Sequence, residues 1–119
     1  MSASSRAARE RAGRRGEALA VWWLRLKGWR VLARRVKTPR GEIDLVVRRW
    51  RTVAFVEVKW RARADDLALA VDHARLRRVA DAAQAVGHRF VRAVDDQRID
   101  VVLLAPRAVP RHIVNAWMP

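Results

Sequence analysis

The sequence predicts one α/β domain, a mixed β-sheet flanked by helices in the order α-β-β-β-α-β-(β). Its 119 residues suit a single domain with one core. Apolar residues recur at helical spacing in two stretches, with runs rich in β-branched and aromatic residues between and after them. No repeat, low-complexity tract or linker divides the chain, so the domain takes in 1–119, with residues 1–12 set aside as a flexible basic extension.

The first helix starts near Ser4 or Ser5, whose hydroxyls can accept from the free N–H groups of a first turn, and ends at Lys27 because Gly28 is a natural stop. Leu19, Trp22, Trp23 and Leu26 share one side and are the expected core stripe. Glu17 is off that stripe, one turn before Val21 and two before Leu24. A carboxylate on this second apolar line lies either at a solvent edge or in a site.

A strand over 30–36 follows, then a polar turn through Pro39, Arg40 and Gly41, then strands over 42–48 and 52–60 joined around Trp50 and Arg51. A second helix fits 72–86, with Val71 before an Asp72 cap, Leu76, Val79, Ala80 and Ala83 on one face, and Gly87 at its end. Residues 88–97 fit helix or strand equally. A strand over 98–104 is bounded by Pro106, and 112–117 adds an edge strand.

Composition removes several function classes. Hydrophobic residues make up 51% of the chain, too many for a disordered basic tail. The absence of cysteine excludes a disulfide scaffold, a thiol nucleophile and Cys-rich zinc sites, and is compatible with a reducing, cytoplasmic setting. The apolar stretch at 18–24 is far short of the roughly 20 residues of a membrane span, so no membrane role is expected. The Ser- and Arg-rich start has the composition of a transit peptide, but Glu10 interrupts it. His73, His88 and His112 lack metal-ligand spacing, no phosphate-binding Gly-Lys loop occurs, and the only serines are Ser2, Ser4 and Ser5.

The net charge of +14 is uneven: residues 1–40 hold twelve basic residues against two acidic ones. Such a face suits a polyanion. Arg14, Arg15, Arg40 and Arg61 are candidate phosphate contacts, and the expected partner is nucleic acid, DNA before RNA. Trp50 at the hairpin tip and Trp60 at a strand end are placed either to stack on unpaired bases or to pack an edge.

Side chains alternate across a strand, so Phe55, Glu57 and Lys59 share a face, as do Glu42, Asp44 and Val46, opposite Ile43, Leu45 and Val47. A two- or four-residue loop centred on Trp50 and Arg51 sets Asp44 opposite Glu57 and Glu42 opposite Lys59. Two facing carboxylates in apolar surroundings repel unless a cation lies between them. Mg²⁺ or Mn²⁺ fits, since hard cations take carboxylates, water and phosphate. Lys59 would orient the attacking water or offset charge on the scissile phosphate. The same Glu-x-Lys pattern also occurs on solvated strand faces with a weak ion pair.

Five ordered motifs spread over 13–117 resemble the bacterial YraN-like family. They are Arg15-Gly16-Glu17-Ala18-Leu19-Ala20, Gly41-Glu42-Ile43-Asp44-Leu45-Val46, Phe55-Val56-Glu57-Val58-Lys59, Arg98-Ile99-Asp100-Val101-Val102 and His112-Ile113-Val114-Asn115-Ala116-Trp117. The resemblance implies a restriction-endonuclease-like fold with PD-(D/E)xK spacing, similar to archaeal Holliday-junction resolvases. It implies Asp44 and Glu57 as metal ligands, Lys59 as the catalytic lysine and Glu17 as an accessory acid. Arg75 stands where the family has Lys or Gln, which implies it as a further phosphate contact that cannot act as a base; Ile99 stands where the family has Phe, and Ile43 where the motif's name has proline.

The expected function is Mg²⁺-dependent hydrolysis of DNA phosphodiesters, with branched or flapped substrates implied by the resolvase similarity alone. A non-catalytic nucleic-acid-binding module and a basic accessory protein for a protein partner are the alternatives. A homodimer would suit the cutting of two strands, although no residue demands it.

Overall fold

The computed structural model describes the backbone of residues 3–61 and 73–117, and side chains from Arg15 onward. Helix α1 (Ala3–Leu26) leads into β1 (Arg30–Thr38), β2 (Gly41–Arg49) and β3 (Thr52–Trp60). Helix α2 (His73–Val86), a 3₁₀ turn (Gly87–Arg89), β4 (Asp96–Leu104) and β5 (Arg111–Ile113) complete the chain. The five strands lie in sequential order, all antiparallel except β3 and β4. A parallel pair needs a crossover, and α2 lies on it. The predicted order of elements is the one observed. Residues 3–12 belong to α1; the Val71 and Asp72 start of the second helix lies outside the described residues. The segment 88–97 forms neither a longer helix nor a full strand, and 114–117 stay outside β5.

Gly28 stops α1 as predicted, in the left-handed region at φ 89. Its N–H donates to Arg25 O, and the Trp29 N–H reaches back to Leu24 O, each at 3.0 Å. This closure satisfies the Arg25 and Leu24 carbonyls, the latter also accepting from the Lys27 N–H at 3.0 Å, and Leu24 and Trp29 pack in one cluster beneath it. The buried line of α1 is not the predicted one. Ala20, Val21 and Leu24 are buried, with Trp23 partly so, while Leu19, Trp22 and Leu26 are exposed. Small residues explain the choice: a Cβ added at Gly16 would already stand 3.6 Å from Leu104 Cδ1 and from the Trp60 ring. The helix docks through its narrow side and leaves its bulky side outward.

Each helix covers one sheet face. Ala20, Val21, Leu24 and Trp29 pack on Leu45, Val47, Ala54, Val56, Val102 and Leu104. On the other face Val79, Ala82, Ala83 and Val86 of α2 meet Val36, Ile43, Val46, Val53 and Phe55. Strand β3, covered on both sides, is buried without break from Val53 to Glu57, the pattern of an interior strand. Strand β5 is held by Asp100, which accepts from Arg98 (2.9 Å) and the Asn115 N–H (2.9 Å) and pairs with His112 Nε2 at 2.7 Å. Burial alone would raise the Asp100 carboxyl. The bonds to His112, Arg98 and the Asn115 N–H outweigh burial and hold it below its ordinary value. Among the described residues no helix is long and apolar enough to cross a membrane.

Candidate active site

The β2–β3 ladder keeps the expected register from Arg49↔Thr52 to Leu45↔Val56 and, among the described residues, ends there. One step further the Val58 N–H donates to Asp44 Oδ2 at 2.8 Å, so a side chain stands where a ladder carbonyl would be. The expected Asp44–Glu57 and Glu42–Lys59 backbone pairs are therefore not made. Alternation fails at the same place, because Ile43 packs with Val46 on the α2 side while Leu45 and Val47 face α1. The acid that breaks the ladder also opens the sheet end on which the site is built.

Glu57 points from β3 toward α2 and is only 3% exposed. A bare carboxylate so buried is costly, and two cations attend it. The Arg75 Nε, from the start of α2, donates to Glu57 Oε1. Lys59 Nζ stands 3.9 Å from the same oxygen. Among the described residues no guanidinium pairs with Asp44. Burial pushes its carboxyl from an ordinary 3.8 up to about 7, and the negative charges of Glu57 and Glu17 and the hydrogen bond shared with Glu57 push the same way. The Val58 N–H works against them.

Glu17, on the buried line of α1, lies within electrostatic reach of Asp44 but is bound by Arg35 Nε at 3.1 and 3.2 Å to its two oxygens. Arg35 has φ 50, left-handed for a non-glycine residue, at the edge strand β1. Neither Arg35's role nor that of Arg78 is legible in the sequence, because no motif or spacing marks them. Arg78 joins Gly41, Glu42, Asp44, Glu57, Arg75 and Val79 around a cleft of about 370 Å³. Gly41 adopts φ 147, and a Cβ there would sit 3.7 Å from Arg78 O, so the turn into β2 runs close beneath α2.

The fold brings Glu17, Asp44, Glu57, Lys59 and Arg75 to one end of the sheet. Arg40, exposed in the turn before β2, and Arg61, just after β3, flank that end; Arg15 is exposed on α1 two residues before Glu17. The side chain of Arg14 lies outside the described residues. Arg75 differs from the others, since Glu57 already holds it. Among the described residues no three His, Asp or Glu side chains form a closed metal cage. Two adjacent carboxylates, one of them pushed up by burial and then by the charge of the other, still match Mg²⁺, which is commonly bound by one or two carboxylates, with water and phosphate completing the shell. A cleft of about 430 Å³ beside the end of α2 offers no such pair: its one carboxylate, Asp95, is taken by Arg48 and the Arg92 N–H.

A mixed sheet of this order with a helix on each face has the restriction-endonuclease-like fold. The solved Holliday junction resolvase Hjc of Archaeoglobus fulgidus superposes over 84% of this chain and 73% of its own, at TM-score 0.55 and 22% identity. Residues 16–104 match the model of Uncharacterised protein family UPF0102. The UPF0102 protein of Sphingopyxis alaskensis is 62% identical over 97% of this chain and 99% of its own. That of Erythrobacter litoralis is 60% identical over 92% and 95%. The chain belongs to the UPF0102, or YraN, family.

Proposed function

We propose that the protein is a cytoplasmic, metal-dependent endonuclease that hydrolyses phosphodiester bonds of DNA, with branched or flapped structures as substrates. The observation that carries this reading is the pairing of Asp44 with Glu57 at the open end of β2 and β3, with the Lys59 ammonium alongside. Asp44 and Glu57 would hold Mg²⁺ or Mn²⁺, and a bound ion would supply charge stabilisation on the phosphate and a lowered water pKa. Lys59 serves as the fixed cation that orients the nucleophile or meets charge growing on the phosphate. Arg75 compensates Glu57 while the site awaits a cation, and Arg35 does the same for Glu17, the accessory acid. Arg15, Arg40 and Arg61 supply phosphate contacts around the cleft. DNA and a branched substrate are favoured because the resolvase sharing this fold is named for the Holliday junction.

The neutralisation of Glu17 and Glu57 by arginines favours one second reading, a nucleic-acid-binding module without catalysis. One experiment separates the two. Labelled duplex, flap and four-way DNA are incubated with Mg²⁺, Mn²⁺ or chelator, using the natural protein, Asp44→Ala and Lys59→Ala. The nuclease gives product only with metal, and each variant loses about 100-fold or more in rate. Absence of metal-dependent product, or equal product from the variants, overturns the nuclease reading; binding that persists and falls steeply with salt supports the module.

A further inference from the structure

The other end of β2 carries a feature that phosphodiester hydrolysis does not need. Trp50, at the tip of the β2–β3 hairpin, is 88% exposed. Its backbone sits in the left-handed region at φ 56, which is strained for a bulky side chain and which tight hairpins normally give to Asn or Gly. A large ring in water on a strained backbone is a local conflict of the kind that clusters at functional positions.

The tip is nevertheless firmly mounted. Arg48 donates to Trp50 O at 3.1 Å and is itself fixed by Asp95 at 3.0 and 2.5 Å and by Phe90 O at 3.2 Å. Beside the ring opens a cleft of about 650 Å³ whose lining includes Arg25, Arg30, Arg49 and Arg92. All four are exposed, as is Arg51 next to Trp50. Of the acids nearby, Asp95 is committed to Arg48, which sets the exposed Asp96, whose backbone N–H donates to Arg51 O at 2.8 Å, against five arginines. The surface therefore pairs one open π-face with five cations.

A ligand suited to it has flat aromatic faces and repeated negative charge. Nucleic acid with unpaired bases has both, whereas a blunt duplex hides its base faces. We infer that Trp50 and the arginines around it form a second nucleic-acid contact, apart from the carboxylate site, that stacks on an unpaired base and grips the neighbouring phosphates. Trp50 lies six residues along the strand from Asp44, roughly 20 Å. At about 3.4 Å per nucleotide that is a separation of roughly six nucleotides. The contact thus selects DNA carrying an unpaired stretch roughly six nucleotides from the carboxylate site. It rests on the nucleic-acid part of the proposed function and not on catalysis.

The test measures binding by fluorescence anisotropy, in chelator, to a labelled blunt duplex, the same duplex with a flap, and a single strand. Trp50→Asn removes the ring while suiting the left-handed backbone, so melting temperature reports that folding is intact. Its affinity for flap and single strand is expected to fall about tenfold, with blunt duplex changed about twofold or less. Trp50→Phe keeps most of the affinity. The Arg25→Ala, Arg49→Ala double variant weakens all three and flattens the salt dependence by about two phosphate contacts. Equal loss on all three DNAs, or no loss, in Trp50→Asn overturns the inference, and a protein partner then becomes the better occupant. Parallel cleavage reactions with Mn²⁺ keep the outcomes apart. Cleavage without a Trp50 effect overturns this inference alone, Trp50-dependent binding without cleavage overturns the nuclease reading alone, and no binding of any DNA at low salt overturns both.

Discussion

Asp44 serves two masters: its carboxylate closes off the Val58 N–H, and it faces Glu57 across the opening sheet. Keeping it charged in the metal-free protein is unfavourable, which gives a signed pH dependence. The native state retains a proton on Asp44 up to about pH 7, where the unfolded chain, near 3.8, has lost it. Stability from this group is therefore full below the unfolded value and declines as pH rises toward 7. Asp44→Asn removes that decline while still accepting from the Val58 N–H. Thermal melts in chelator should show the variant more stable at pH 8, by up to about 4 kcal/mol, with the gap closing toward pH 4. A gap that is constant across that range would contradict the burial and charge assigned to Asp44. The partners of these acids could not be read from the sequence, because Arg75 lies 18 residues from Glu57, and Arg35 18 from Glu17; only the docking of each helix on its sheet face brings them together.

Helix α1 shows where element-level reading succeeds and where it fails. Its stop was legible in Gly28, since few other residues adopt that backbone without strain. Its face was not. Two apolar lines run side by side along the helix, and the bulkier one, Leu19, Trp22 and Leu26, looks like a core stripe. The line through Gly16, Ala20 and Leu24 is buried instead, because its small residues let the helix approach Trp60 and Leu104. That choice also turns Glu17 inward, resolving the two placements its position allowed. The β2–β3 register was legible because the hairpin loop fixes it, but the ladder's early end was not, since it depends on Asp44 bonding across to Val58. The face assignment predicts opposite consequences for two substitutions. Leu24→Ala should cost about 3 kcal/mol in denaturant unfolding, and Trp22→Ala about 0.5 kcal/mol or less. Comparable losses from both would mean that α1 docks through its bulky side.

For the molecule as a whole, the sequential sheet turns a surplus of positive charge into a placed one. The acids Glu17, Asp44 and Glu57 gather at one end, each of the outer two already attended by an arginine, while the hairpin end carries Trp50 and a ring of exposed arginines. The order of elements and the spacing of Asp44, Glu57 and Lys59 were legible in the chain, and with them the fold. The polarity of the surface was legible only as a total of +14, because which cations face a partner and which face an acid is decided by packing. In the proposed function, Asp44 and Glu57 form one cation site. A crystal structure of the protein grown with Mn²⁺, with data collected at the manganese absorption edge, tests it directly. An anomalous peak is expected within about 2.2 Å of carboxylate oxygens from both Asp44 and Glu57, with the Arg75 guanidinium moved off Glu57. Bound Mn²⁺ elsewhere, or an Arg75–Glu57 pair that stays closed at saturating Mn²⁺ with no peak between the two acids, would contradict it.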